Sequence, residues 1–294
     1  MDHTVQQGSF LIASLSMRLQ GWHLTLPLAF VFLAFFVTPL LILFAVSGFA
    51  DEKITQVGFK TWVGFVKDPF YWIVTGNTLK LGVLTVCATL LIGYPLAVVY
   101  TNASVRTQKI LIMLIIMPML LSVVVRTFAW IVILGKEGVI NQTLLSLGLS
   151  TTPLRLLQTE VGLIISLTQI ELPLMVLPLI SVMSRTDQSV HDASSALGAS
   201  RWRTFFKVTV PLSLPGLIAG CTLVFASATT AFISQSVIGG NRLVYLPLIV
   251  WQQSLVVYNW PLAAVAAVTL LLSVMSCIVL LNLLGRRGMR YLNV

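Results

Sequence analysis

Asp192-Ala-Ser-Ser-Ala-Leu-Gly198-Ala-Ser-Arg-Trp-Arg-Thr-Phe-Phe-Lys-Val208-Thr-Val210-Pro211 is a polar interruption late in a chain that is otherwise mostly apolar. Small residues precede Gly198 and basic residues follow it, which reads as helix, glycine turn, helix. A hydrophobic protein that keeps such an element between two apolar runs presents a loop that a soluble partner can grip. The apolar runs then form a membrane body, and the loop is the place where force from outside the membrane enters it.

Composition agrees with that division. The 294 residues are 57% hydrophobic and 9% charged, with a mean hydropathy of +0.96. Soluble domains carry about 25% charged residues, so most of this surface cannot face water. A bilayer core about 30 Å thick needs roughly 20 apolar residues per helical crossing. Six such runs are present, at about 24–46, 74–100, 109–134, 161–183, 215–233 and 262–284. Helices satisfy their own backbone groups in hydrocarbon, and the runs lack the alternation of barrel strands. The expectation is an all-α integral membrane protein with six transmembrane helices. The first run exceeds the 7–15 apolar residues of a signal peptide and reads as a retained helix behind a 1–23 N-terminal segment. Residues 285–294 form a short tail.

The net charge of +9 belongs to topology rather than to nucleic acid. With the N-terminus inside, ten Arg and Lys residues fall in inner segments and six in outer ones, as the positive-inside rule requires. Both termini are then cytoplasmic. The outer segments are about 47–73, 135–160 and 234–261, and the inner ones 101–108 and 184–214. Tryptophan and tyrosine, among them Trp72, Tyr100, Trp130, Trp251 and Trp260, cluster near the ends of the runs, as interfacial aromatics do. Cys87, Cys221 and Cys277 all lie in apolar runs without metal-type spacing and read as packing residues. His3, His23 and His191 are scattered, and no serine has a partnered base, so neither a catalytic nor a metal site is expected.

In the inner loop, Ser184-Arg-Thr-Asp187 reads as a capping-box start. Val190, Ala193, Ser194 and Leu197 fall at i, i+3, i+4 and i+7, giving a small-to-apolar face. Gly198 suits a turn with positive φ. Pro211 and Pro215 redirect the chain into the next crossing. On pattern alone, a basic amphipathic loop resting on lipid headgroups explains these features more readily than a docking loop.

A resemblance shifts that balance. Asp192-Ala-Ser, three residues, Gly198, nine residues, Val208, one residue, Val210-Pro211 closely resembles the signature Glu-Ala-Ala-x3-Gly-x9-Ile-x-Leu-Pro of ABC-importer permeases. The resemblance implies a coupling loop seated in a cleft of a cytoplasmic ATPase, with Asp192, Ala193, Ser194, Leu197, Gly198, Ala199 and Arg201 as its coupling residues. The chain has no G-x-x-x-x-G-K-[ST] phosphate loop. ATP and Mg are therefore expected in a partner subunit, and this chain is expected to be non-catalytic and to hold no cofactor of its own.

Charged residues inside apolar runs are costly and mark candidate sites. Lys80 lies near an outer helix end and can snorkel to the headgroups. At 1.5 Å per residue, Arg126 lies about 12 Å and Glu171 about 15 Å from the outer ends of antiparallel neighbours. They can form an ion pair that fixes helix register, or they can line the passage, with Glu171 attracting a cationic group or Arg126 an anionic one. Pro118, Pro173 and Pro178 interrupt their helices, either as packing kinks or beside a cavity. Segments 113–130 and 168–180 are the expected passage lining, with Arg126, Trp130, Glu171 and Pro173 as its leading residues.

The resemblance extends along the chain. Asn77-Thr-Leu-Lys80, Gly93-Tyr-Pro-Leu-Ala97, Val125-Arg-Thr-Phe-Ala-Trp130, Gly138-Val-Ile-Asn141, Leu172-Pro173, Ile238-Gly-Gly-Asn241 and Asn259-Trp-Pro261 resemble the spermidine/putrescine branch of the type I permeases. It implies the type I fold with a permease core at 77–284 and a coupling loop at 184–214. The implied partners are an ATPase dimer, a second homologous permease subunit or another copy of the chain, and a periplasmic or lipid-anchored solute-binding protein. The implied location is a bacterial inner membrane, and no nucleic acid is involved. A polyamine such as spermidine or putrescine is the leading cargo. Glu171 departs from the expected aliphatic residue, which leaves opines, amino-acid derivatives, phosphonates and ferric ions open. An ATP-independent carrier or channel, or an assembly factor with no passage, are the rival classes.

Overall fold

The computed structural model describes residues 26–290, without the side chains of Gln188, His191, Asn241 and residues 286–290. The 1–23 segment and the end of the 285–294 tail lie outside the described residues. Among the described residues every regular element is helical, and an isolated bridge pairs Phe49 with Val57.

The helices are α1 (Leu26–Ser47), α2 (Lys60–Lys67), α3 (Pro69–Asn102), α4 (Val105–Ile116), α5 (Val123–Leu134), α6 (Val139–Ser146) and α7 (Glu160–Met183). They continue with α8 (Gln188–Ala196), α9 (Arg201–Thr204), α10 (Val210–Thr230), α11 (Phe232–Gly239), α12 (Leu246–Trp251) and α13 (Trp260–Arg290). Five helical segments are long and apolar enough to cross a membrane, or six when the bent pair Val105–Leu120 and Val123–Ser146 counts as one. Local chemistry sets many of their ends. Asp68, Ser104, Thr159, Asp187 and Ser200 each accept a backbone N–H of the helix they precede, which satisfies a donor the first turn leaves open.

The centre is α7, packed between α3 and α10. Met175, Val176, Leu179 and Ile180 meet Ala97 of α3 and Cys221 and Val224 of α10 in one buried cluster. A second cluster joins Leu81, Leu134, Leu163, Leu167, Ile238 and Tyr245. By contrast, α1 has none of its most apolar window buried within the chain. A helix that is apolar all round and uncovered by its own chain is built for lipid or for another subunit.

Several expectations need correction. The run at 109–134 is not one helix. After Pro118 the chain tightens into a 3₁₀ turn, Met117–Leu120, then Leu121 and Ser122 take extended ψ values of 143° and 140°. The two halves meet at 101°. Pro173 and Pro178, in contrast, do not interrupt α7, which runs through both. Dense packing on either side holds the helix where a hydrogen bond is missing. Pro211 and Pro215 likewise leave the segment Arg201–Thr230 continuous. A π turn at Phe205–Thr209 widens the helix just ahead of Pro211, giving room to a ring that would otherwise clash with the preceding turn. The outer segment 234–261 is itself largely helical. It holds α11 and α12, which bury Ser234, Gln235, Ile238, Leu246 and Ile249. Finally, Ser184 caps the end of α7, and Asp187, not Ser184, is the N-cap of α8.

Candidate functional site

Two polar regions lie along one helical pair, one at its inner end and one at the middle of α7. α7 descends into the inner loop and α10 returns from it. The loop is well formed. Asp187 Oδ1 accepts the N–H of Ser189 at 2.9 Å, and that backbone donor holds its carboxyl below the usual carboxylate range. At the other end of α8, Gly198 has φ +77°. Its N–H donates to the Ser195 carbonyl at 3.0 Å, and the Ala199 N–H donates to the Ser194 carbonyl at 3.1 Å. Together these form a Schellman closure. Ser194 Oγ and Thr204 Oγ1 lie 2.8 Å apart and clip α8 onto α9.

This geometry separates the expected coupling residues. Asp192, Ala193 and Leu197 face outward, and Leu197 is 87% exposed. Ser194 and Ala199 are half-buried. Ala199 and Arg201 border a cavity of about 480 Å³ between the loop and the inner ends of α3 and α7, beside Asn102, Ser184 and Thr204. Nothing lies within 4 Å of where a Gly198 Cβ would stand, so the glycine is required by its backbone conformation while its surface stays open. The face therefore presents Asp192 beside small and apolar groups that a partner can approach closely.

From the loop, α7 and α10 run together through two glycines. A Cβ on Gly216 would stand 2.7 Å from the Pro178 carbonyl oxygen, and one on Gly220 3.0 Å from that of Met175. Close backbone approach of this kind is what small residues permit between membrane helices. Beyond the glycines, Ser227 of α10 donates to Glu171 Oε1 of α7 at 2.9 Å. Glu171 is only 4% exposed.

The intramembrane residues named from sequence assemble only in part. Trp130 Nε1 donates to Gln169 Oε1 at 3.1 Å, tying α5 to α7. Pro173 is buried. Arg126 lies within electrostatic reach of Glu171, yet the two form no ion pair within 4.0 Å, and the ion pair among the described residues is Lys80–Glu160 at 2.8 Å. Lys80 thus has a protein partner at the outer end of α7 rather than only headgroups. The Nε of Arg126 is buried without a hydrogen-bond partner. Its neighbour Thr127 shares a 3.2 Å contact with Ser234 of α11.

Sequence reasoning missed Ser227, Gln169 and Ser234. Gln169 carried a signal, as an amide inside an apolar run two residues from Glu171. Ser227 and Ser234 carried none, because most serines and threonines here bond back to their own helix. Among the described residues no three His, Cys, Asp or Glu side chains gather to hold a metal.

The chain matches the family described as binding-protein-dependent transport system inner membrane component over residues 9–290. It is 31% identical over 251 residues to the spermidine/putrescine transport system permease protein PotB of Haemophilus influenzae, covering 84% of this chain and 88% of that protein. The same protein of Escherichia coli is 33% identical over 203 residues, covering 69% and 74%. A bacterial alginate ABC transporter, solved with its alginate pentasaccharide-bound periplasmic protein, superposes with a TM-score of 0.77 at 16% identity, over 94% of this chain and 97% of that one. That likeness is one of fold.

Proposed function

Because the chain belongs to the binding-protein-dependent transport system inner membrane components, we propose that it carries a small organic cation, with a polyamine such as spermidine or putrescine leading, into the cytoplasm of a bacterium. In this reading the chain spans the inner membrane with both termini inside. It pairs with a second permease subunit, or another copy of itself, through faces its own helices leave uncovered, α1 among them. A solute-binding protein delivers the cargo from outside. ATP and Mg are held by a cytoplasmic ATPase dimer, and this chain performs no chemistry.

The observation that carries the reading is the continuity from the loop to Glu171. The outward Asp192, Ala193 and Leu197 offer the docking face, and Gly198 shapes it. Gly216 and Gly220 lock α7 to α10 above that face, and further along the pair stands the Glu171–Ser227 contact. ATP biases two conformations only through different affinity for them. A loop gripped differently in the two states would move α7 and α10 together and change what surrounds Glu171. Arg126, Trp130, Glu171 and Pro173 then border the passage.

Reconstitution of the chain with its ATPase and binding protein in proteoliposomes tests this directly. Uptake of labelled putrescine or spermidine should require ATP inside the reach of the ATPase. Uptake that continues in vesicles without any ATPase would overturn the reading in favour of a carrier or channel.

A further inference from the structure

The cavity of about 480 Å³ between the inner loop and the inner ends of α3 and α7 has the size of a small-molecule site, about 300–1,000 Å³. Its lining includes no Asp or Glu, and the exposed Arg201 on its wall has no carboxylate within 4.0 Å among the described residues. The hydroxyls around it divide into two kinds. Thr101 Oγ1 donates to the Val98 carbonyl at 3.0 Å, and Thr204 is engaged by Ser194. Ser184, Thr186 and Thr209 spend their hydroxyls on no described group of the chain. Asn102 Nδ2 gives one N–H to the Val98 carbonyl at 2.7 Å and has a second to give. Val98, Met183 and Leu212 add an apolar wall. The cavity thus offers one cation, several uncommitted donors and no anion of its own.

We infer that this cavity binds a phosphate ester on the cytoplasmic side, with the Arg201 guanidinium on the phosphate and Ser184, Thr186, Thr209 and Asn102 donating around it. The inference rests on the importer reading above only for the side of the membrane given to the loop. A guanidinium fork matches phosphate oxygens bidentately. Phosphate presents more acceptor oxygens than a carboxylate, which suits a cation backed by four further donor side chains. The cavity is larger than a phosphate group, so the organic part of the ester has room along the apolar wall. An anionic lipid headgroup and a soluble glycerophosphate share this chemistry, and basic pockets between helices on the cytoplasmic side hold such headgroups. The site is not a cargo site, because neither Arg126 nor Glu171 lines it. Its walls belong to two parts of the fold. Asn102 and Ser184 stand at the ends of α3 and α7, whereas Arg201 opens α9 and Thr209 closes the π turn. An occupant would therefore brace the inner loop against the membrane helices.

The test uses the permease–ATPase assembly in nanodiscs and has two arms. In phosphatidylcholine discs, calorimetry follows binding of glycerophosphoglycerol, the soluble headgroup of phosphatidylglycerol. In mixed discs, native mass spectrometry follows the phosphatidylglycerol that the assembly retains. Wild type should bind saturably in both arms if a free ester suffices, or in the second alone if the acyl chains are needed. R201Q should weaken binding by about tenfold or more, as loss of a charge-assisted hydrogen bond does. Thr186→Val combined with Thr209→Val should weaken it by about threefold or more, which keeps the test open if R201Q sheds its ATPase. R203Q should leave binding unchanged, since Arg203 is exposed nearby and does not line the cavity. No saturable binding in either arm, or equal losses in R201Q and R203Q as a diffuse basic surface would give, would overturn the inference. Binding is read without transport, so failed uptake counts against the importer reading and leaves this site standing.

Discussion

Gly220 of α10 and Met175 of α7 meet backbone to side, with the position of a Gly220 Cβ only 3.0 Å from the Met175 carbonyl oxygen and 2.9 Å from its sulfur. The sulfur can move aside, but the carbonyl belongs to a buried helix and cannot. That contact, repeated at Gly216 and Pro178, holds the two arms of the inner loop as one body.

Gly220→Ala should therefore force α7 and α10 apart, at a cost of about 1–3 kcal/mol typical of overpacking. Thermal unfolding of the purified assembly should shift downward. Turnover of ATP should persist while uptake falls, because the lever is loosened and the ATPase is untouched. A variant with wild-type melting and wild-type uptake would show that the close approach is incidental.

Gly198 offers two substitutions with different meanings. Ala costs about 1–2 kcal/mol in a left-handed conformation, so Gly198→Ala should unsettle the Schellman closure and speed amide exchange at Gly198 and Ala199. Asn tolerates that conformation, so Gly198→Asn should keep the turn yet place a side chain on the open docking face. Co-purification of the ATPase should fall in both. If Asn leaves ATPase binding and coupling intact, the face is not where the partner sits.

Asp187 gives a pH signature. Its folded carboxyl lies below the ordinary value because the Ser189 N–H favours the charged form. A depressed carboxylate contributes stability above its unfolded pKa, and that contribution is lost as pH falls through the folded value. The protection of amides at the start of α8, taken relative to their intrinsic exchange rate at each pH, should fall on acidification below about pH 4, the ordinary aspartate range. Asp187→Ala should show the low protection already at neutral pH, with no further acid step at that site.

The Lys80–Glu160 pair ties α3 to the first turn of α7 at 2.8 Å, with side chains 56% and 32% exposed. Exposed pairs are worth about 0–1 kcal/mol, so Lys80→Met should lower the melting temperature by no more than a few degrees. The difference from wild type should shrink at high salt as screening grows. A large, salt-independent loss would mean that Lys80 does more than pair with Glu160.

Much of this was legible along the chain. The apolar runs, the capping residues and the glycine turn are local properties, and α7, α8 and the loop fall close to where those signals place them. The bend in the third run was signalled by Pro118, yet Pro173 and Pro178 carry the same signal inside an unbroken helix. What separates them is not in their own segments. α7 is enclosed between α3 and α10, whereas the residues around Pro118 are largely exposed within the chain. For the same reason the helices within the outer segment 234–261 are not legible locally: its Gly, Pro and Asn give no such signal, and its burial comes from α3, α5, α7 and α13.

The sequence by itself determined that this is a bundle of membrane-crossing helices with one polar inner loop, because the cost of placing a residue in hydrocarbon or in an αL turn is paid residue by residue and can be read without neighbours. The tertiary structure alone decided which partner each buried polar group takes. Glu171 and Ser227 are 56 residues apart, and Arg126 stands near Glu171 without pairing to it. Such choices depend on the rotation and separation of packed helices, set by small residues such as Gly216 and Gly220, and periodicity within one helix does not encode them.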